Sequence, residues 1–149
     1  MRWEDAVALV AAEWEIFNLE ADTQGSCAAA LPDGGEIRLI PTGGGKLQIE
    51  GRLLERASAV IRSPAPLLQL LRENFTHAIV EESSLAYQQE LDELVLILSL
   101  PLVNLAEEAF LSRIETFHRD LALTGQLVTS LFFPNRAGGF PANPFAAAG

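Results

Sequence analysis

The chain has 149 residues, of which 49% are hydrophobic and 20% are charged. That length suits one folded domain with its own core, and the composition is globular, not disordered. Ten basic and twenty acidic residues give a formal net charge of −10. Because nucleic acids and anionic membranes attract basic proteins, we expect neither as a partner, and a neutral or basic polypeptide suits this chain better.

Several features of the sequence predict a cytoplasmic protein. No apolar run reaches the roughly 18 residues that a membrane helix needs, so we expect no membrane insertion. The first five residues include acids where a signal peptide would carry basic residues. Cys27 is the only cysteine, which excludes an intrachain disulfide and suits a reducing compartment. We interpret Cys27 as a small buried residue and not as a nucleophile.

Apolar residues recur at three- and four-residue steps over residues 3–19, which predicts an amphipathic helix. The stripe expected to face the core consists of Trp3, Val7, Val10, Trp14 and Phe17. Leu9 and Ile16 lie off this stripe, among acidic residues, and a helix with one buried face does not need them there. We therefore predict that Leu9 and Ile16 are exposed and bind another protein.

A strand region begins at Gly25, and apolar residues alternate with charged or polar ones over residues 36–39 and 46–53, which predicts antiparallel strands with one buried face. Glycine-rich turns are expected at residues 32–35 and 42–45. Ile40 and Leu54 break the alternation. We predict that both point outward, together with the charged residues.

Ser63 and Pro64 form a helix start, with serine at the N-cap and proline at the first helical position. This second helix is expected to end near residues 74–75. Its apolar positions cover roughly 160° of a helical wheel, whereas one core-facing stripe covers about 100°. The surplus predicts a homodimer interface, which we assign to Leu67, Leu68, Leu71 and Phe75.

Three more strands are expected, over residues 75–82, 85–91 and 94–100. The last is apolar on both faces, as a central strand would be, and Pro101 ends it. Asn104 and Glu107 have the spacing of a capping box and predict the start of a third helix. The apolar stripe of that helix is Phe110, Ile114, Phe117 and Leu121. The helix either frays near residues 124–125 or continues towards Phe133.

The order helix, three strands, helix, three strands, helix predicts an α+β fold, in which helices pack on a twisted antiparallel sheet. We expect residues 1–133 to form one domain. Residues 134–149 are rich in proline and glycine and are expected to form a flexible tail. In the tail, Phe140 and Phe145 could anchor on a neighbouring molecule in the manner of a bound peptide.

The sequence offers no convincing catalytic site. His77 and His118 are the only histidines, and neither has metal-ligand spacing to the other or to Cys27. The glycine runs at residues 34–35 and 43–45 do not precede a helix and lack the Gly-Lys-Ser/Thr ending of a phosphate loop. We therefore expect no catalytic residue, no cofactor and no metal, and a binding protein rather than an enzyme.

Two short sequence segments resemble those of a known protein family. One is the leucine-rich short helix over residues 67–74, which ends in asparagine. The other is Leu100-Pro101-Leu102, which ends a strand and leads into an amphipathic helix. In this order the elements resemble the Tir/CesT family of class I type III secretion chaperones, over residues 1–124. The glycine-rich turn at residues 43–45 and the apolar end at residues 127–133 are not expected of that family.

The resemblance implies a cytoplasmic homodimer joined through the second helix and a neighbouring strand. The N-terminal segment of a type III effector would bind in extended form on apolar grooves, and a separate export ATPase would remove it. On this chain, effector binding is assigned to Leu9, Ile16, Ile40 and Leu54. Two alternatives remain open at this stage: a bacterial regulatory or adaptor domain of similar fold that binds a folded partner, and a small-ligand-binding protein or hydrolase.

Overall fold

The structure is a computed structural model, and it describes residues 1–17, 19–76 and 83–134. Its elements in chain order are α1 (Trp3–Glu13), β1 (Glu20–Ala21), β2 (Cys27–Ala30), β3 (Glu36–Thr42), β4 (Lys46–Leu54), α2 (Ala57–Val60), α3 (Pro64–Thr76), β5 (Ser84–Gln88), β6 (Glu93–Pro101) and α4 (Glu107–Phe132). The predicted α+β class is confirmed. The domain boundary at residue 133 remains a prediction, and the tail from residue 135 lies outside the described residues.

The strands form one antiparallel sheet in the order β1-β2-β3-β4-β6-β5. Strand β6 lies between two neighbours and is buried along most of its length, and it ends at Pro101, as predicted. Both glycine-rich hairpin turns are confirmed. Gly34, Gly44 and Gly45 adopt positive φ angles of 97°, 81° and 73° there, which glycine tolerates without strain.

The core lies between α1, α4 and one face of the sheet. Leu39, Ile49 and Leu98 form a cross-strand row on that face and are buried. The predicted stripe of α4 is buried against the same face: Phe110, Ile114, Phe117 and Leu121. At Gly51 an added Cβ would overlap both methyl carbons of Leu121. Glycine therefore permits a close approach of α4 to the sheet.

Helix α1 ends at Glu13, earlier than predicted. Glu15 adopts a left-handed conformation with φ 55°, the Ile16 N–H donates to the Ala11 carbonyl at 2.8 Å, and the Glu15 N–H donates to Ala12. This is a Schellman turn. It directs Ile16 into the core, where 8% of the residue is exposed, and leaves Phe17 92% exposed. The predicted orientations of Ile16 and Phe17 are therefore wrong, because helical periodicity stops before both.

A β-bulge in β4 changes which side of the sheet Leu54 occupies. Arg52 pairs with Val95 but Leu54 pairs with Leu94, so β4 carries one extra residue there. Because side chains alternate with a period of two, the extra residue moves Leu54 to the core face. Leu54 is buried beside Leu70, so its predicted outward orientation is wrong.

Three smaller predictions about element boundaries also differ from the structure. Strand β1 pairs with the start of β2, so four strands, not three, lie between α1 and α3, and α2 was not predicted. The strand predicted over residues 75–82 is wrong at its start, because α3 begins at Pro64 as predicted but continues to Thr76. Residues 77–82 lie outside the described residues.

The start and end of α4 were predicted with mixed success. The N-cap is Ala106, no side chain caps the helix, and Asn104 adopts a left-handed conformation with φ 60°. The capping-box prediction is therefore wrong. Of the two predicted ends, the longer one is correct, because α4 continues to Phe132.

Candidate functional site

Cys27 and His118 are described residues of types that can act as nucleophiles or bind metals. Cys27 is buried, and burial together with the nearby Asp22 carboxylate raises the pKa of its thiol, which disfavours the reactive thiolate. The His118 ring lies 5.4 Å from the Trp14 ring, and its Nε2 lies 3.5 Å from the Asp33 carboxylate. His77 lies outside the described residues.

The described ranges, 1–17, 19–76 and 83–134, contain no cluster of three or more His, Cys, Asp or Glu side chains placed to hold a metal ion. They also contain no helix that is long and apolar enough to cross a membrane.

A groove of about 420 Å³ runs between α1 and the β1–β2 edge of the sheet. We call it the edge groove, and the larger apolar residues of its lining include Trp3, Val7, Ile16, Phe17 and Leu19. Phe17 stands at its rim with almost its whole side chain in solvent. Strand β1 pairs with Cys27 and Ala28, and no described residue pairs with Ala29 or Ala30 on that side. The groove therefore offers apolar contacts beside a strand edge that an extended peptide can extend.

Helix α3 presents an exposed apolar face. Leu68 and Leu71 lie one turn apart and are exposed, whereas Leu70 is fully buried against the core and Leu67 is partly buried. The side chain of Phe75 lies outside the described part of the chain. Helix α3 therefore has apolar residues on two sides, as the width of its apolar arc predicted.

The sheet face opposite the core carries buried charges, which sequence analysis assigned to solvent. Arg38 donates from Nε and Nη2 to Glu50 at 3.2 and 3.0 Å, and from Nη1 to Glu93 at 2.8 Å. Only 16%, 5% and 10% of these side chains are exposed. Burial alone would lower the pKa of Arg38, but the hydrogen bonds to Glu93 and Glu50 outweigh burial, so its pKa is raised.

A second arginine extends this charged face towards the bulge. Arg52 Nη1 lies 2.7 Å from Glu36, 3.0 Å from Glu55 and 3.7 Å from Glu93. Part of this arrangement could have been found from the sequence. The three-residue loop at residues 43–45 sets a hairpin register that places Arg38 opposite Glu50.

The four residues predicted to bind an effector do not form one surface. Ile16 lines the edge groove, whereas Ile40 lies on the charged sheet face. Leu9 is partly buried on α1, and Leu54 belongs to the core. Sequence analysis missed Phe17 as a surface residue, because no glycine marks the turn that ends α1. A role of these residues in binding remains a prediction.

No protein-family model and no curated protein sequence matches the chain. Solved structures do match. A chain of the ExsC–ExsE complex is 15% identical with a TM-score of 0.62, over 86% of this chain and 97% of that chain. A chain of the HopA1–SchA chaperone–effector complex is 14% identical with a TM-score of 0.58, over 82% and 89%. A chain from the complex of the Yersinia pestis type III secretion chaperone SycH with a YscM2 fragment is 16% identical with a TM-score of 0.53, over 80% and 97%.

These matches cover most of this chain and most of each matched chain, so the likeness extends well beyond a single motif. At such low identity the likeness establishes the fold. This chain has the fold found in complexes of type III secretion chaperones.

Proposed function

We propose that this chain is a cytoplasmic type III secretion chaperone that binds the N-terminal segment of an effector protein. The segment would bind in extended form and stay secretion-competent, and a separate export ATPase would release it, with no reaction catalysed by the chaperone. The observation that carries the proposal is the fold shared with chains of the HopA1–SchA chaperone–effector complex and of the SycH complex.

The edge groove is the proposed site for an apolar part of the effector. Phe17 supports this assignment, because a phenylalanine this exposed gains contact area when a partner covers it. Ala29 and Ala30 supply backbone groups beside the groove that can pair with an extended segment. Ile16 forms part of the groove lining, so it can contact the effector in spite of its burial. Leu9 and Ile40, which are partly exposed, remain secondary candidates.

We also propose a homodimer joined through α3. Leu68 and Leu71 would form the centre of the interface, with Leu67 and Phe75 beside them. This proposal is supported by the exposure of Leu68 and Leu71, because the other side of the same helix already packs in the core through Leu70. An exposed apolar pair on one helix face is what a second copy of the same helix can cover.

The proposed function is tested by capturing the partner and then weakening the edge groove. Proteins that co-purify with the tagged chain from a secretion-competent strain are identified, and the N-terminal segment of a secreted candidate is produced for calorimetric titration. Phe17→Glu should weaken its binding roughly 30-fold, because loss of an interface anchor costs about 2 kcal/mol. The melting temperature should not change, since the substituted side chain is exposed.

Val103→Glu is the matched control, because Val103 is also exposed (65%) and does not line the edge groove. Its affinity for the segment should equal that of the unmodified chain. Capture of no secreted protein would contradict the chaperone function. Equal binding by the Phe17 and Val103 variants would place the effector site elsewhere.

A further inference from the structure

A second groove lies on the charged face of the sheet. Glu20 on β1 pairs with Ala28 on β2, which pairs with Arg38 on β3, which pairs with Glu50 on β4. Because directly opposite residues of antiparallel strands point to the same face, these four side chains form one row across the sheet. Ile40, two residues along β3 from Arg38, lies on the same face.

The turn between β5 and β6 forms the other wall of this groove. Glu93 is the first residue of β6, and its carboxylate lies 2.8 Å from Arg38, although β4 separates the two strands. The sheet therefore curls so that Glu90 and Leu91, in the turn, lie over β3. We call the resulting cavity of about 500 Å³ the acid-rimmed groove; it is lined chiefly by Glu20, Asp22, Ala28, Ile40, Glu90 and Leu91.

The rim of this groove carries negative charge that the lining does not neutralise. Arg38 is the only basic residue of the lining, and both of its carboxylate partners, Glu50 and Glu93, are already bound to it. Glu20 and Glu90 are exposed and have no ion-pair partner in the described part of the chain. The third rim residue, Asp22, is fixed in place by accepting two backbone N–H bonds, of 2.8 and 3.0 Å.

The floor and one wall of the same groove carry apolar residues, whereas its rim is charged. Leu91 is 52% exposed on its wall and Ile40 is partly exposed on its floor. We propose that the acid-rimmed groove binds an extended polypeptide segment in which apolar residues alternate with lysine or arginine. Alternate side chains of an extended segment point in opposite directions, so apolar ones contact Ile40 and Leu91 while basic ones reach the rim. An acidic segment is rejected by the same rim charges.

This inference rests on the proposed function, because it gives the chemistry of one part of the effector segment. Its test, however, uses synthetic probes and not an effector. The probe is a fluorescein-labelled ten-residue peptide of alternating valine and lysine, and its counterpart carries glutamate in place of lysine. Fluorescence anisotropy with the full chain should show binding of the lysine peptide only, weakening as salt rises from 50 to 500 mM, because salt screens exposed charges.

Two variants with the same change in net charge separate the rim from the overall charge of the protein. Glu20→Gln combined with Glu90→Gln should weaken the lysine peptide roughly fivefold, since each exposed ion pair contributes modestly. Glu13→Gln combined with Glu115→Gln should leave the affinity nearly unchanged, because both glutamates are exposed and neither lines the groove.

A second matched pair tests the apolar part of the groove. Leu91→Ala should weaken the lysine peptide severalfold, whereas Val103→Ala, at a comparably exposed position outside the groove, should not. Equal affinities of the rim and control variants, binding of the glutamate peptide, or no binding of either peptide would overturn the inference. Each of these results leaves effector capture by the unmodified chain, and hence the proposed function, to be judged separately.

Discussion

Replacing Arg38 by methionine should reveal how much the buried charges contribute to stability. Arg38 makes hydrogen bonds of 3.2 and 3.0 Å to Glu50 and of 2.8 Å to Glu93. Those two carboxylates are only 5% and 10% exposed, so water can replace the guanidinium only in part. Methionine preserves the apolar stem of the side chain, and the variant therefore removes charge and hydrogen bonds with little loss of packing.

The expected loss of unfolding free energy is about 3 kcal/mol. Removal of one partner from a buried ion pair costs roughly 3–5 kcal/mol, because the other charge stays buried without compensation. We choose the lower end for two reasons. Arg52 still lies 3.7 Å from Glu93, and the Gln48 amide still donates to Glu50 at 2.8 Å. A loss of this size is a large part of the roughly 5–15 kcal/mol by which domains are stable.

Urea unfolding followed by circular dichroism measures the effect. Arg52→Met is the matched control and should cost under about 1 kcal/mol, because Arg52 and its partners Glu36 and Glu55 are more exposed. Adding Glu50→Gln and Glu93→Gln to the Arg38 variant should restore much of the loss, since no unpaired charge then remains. Equal losses for the two arginine variants would refute the reasoning, because they would mean that the Arg38 ion pairs are as accessible to water as those of Arg52.

Three further predictions concern the dimer, the core and a surface carboxylate. Leu71→Glu should convert the proposed dimer into a monomer in light scattering, since an unpaired charge is costly to bury in an interface. Gly51→Ala should lower the unfolding free energy in urea by about 1–3 kcal/mol, because the new methyl group forces Leu121 away from the sheet. Hydrogen bonds from Ser58 and Tyr87 hold the pKa of Asp92 below its ordinary value. Ser58→Ala should raise that pKa in a carboxyl NMR titration. The variant should be less stable than the native protein above about pH 4, and this difference should disappear as the pH falls below the native pKa.

Each of these predictions has a control or a result that contradicts it. Val103→Glu should remain dimeric, and a native chain that is monomeric at micromolar concentration would exclude the proposed interface. Gly43→Ala should be nearly neutral, because an added Cβ meets no atom within 4 Å there. An unchanged titration of Asp92 in the Ser58 variant would mean that the two residues do not interact in solution.

Local patterns predicted most elements of the fold. Alternation and glycine-rich turns located β3 and β4, and the stripe of Phe110, Ile114 and Phe117 located α4 and its buried face. These predictions succeeded because side-chain period and turn chemistry are properties of neighbouring residues. The register that places Arg38 opposite Glu50 was not predicted, although it follows from the length of the hairpin loop.

The errors arise where tertiary structure overrides the local pattern. Glu15 adopts a left-handed conformation that is uncommon for a residue with a side chain. The sequence therefore did not indicate where α1 ends or that Phe17 is exposed to solvent. The bulge before Leu54 depends on pairing with β6, far along the chain. For the same reason, alternation alone could not show that Glu93 would reach Arg38.

The central pairing of β4 with β6 has a consequence for how the chain is synthesised. Residues 46–54 pair with residues 94–101, so the ribosome makes β1 to β4 long before their partner strand exists. Until then only α1 is available to cover the apolar face that carries Leu39 and Ile49, and β4 has a free edge that can pair with another chain. Folding must wait for β6 and α4, which makes it slow relative to proteins with local contacts. A nascent chain stalled before Glu107 would therefore aggregate and would itself need protection during translation.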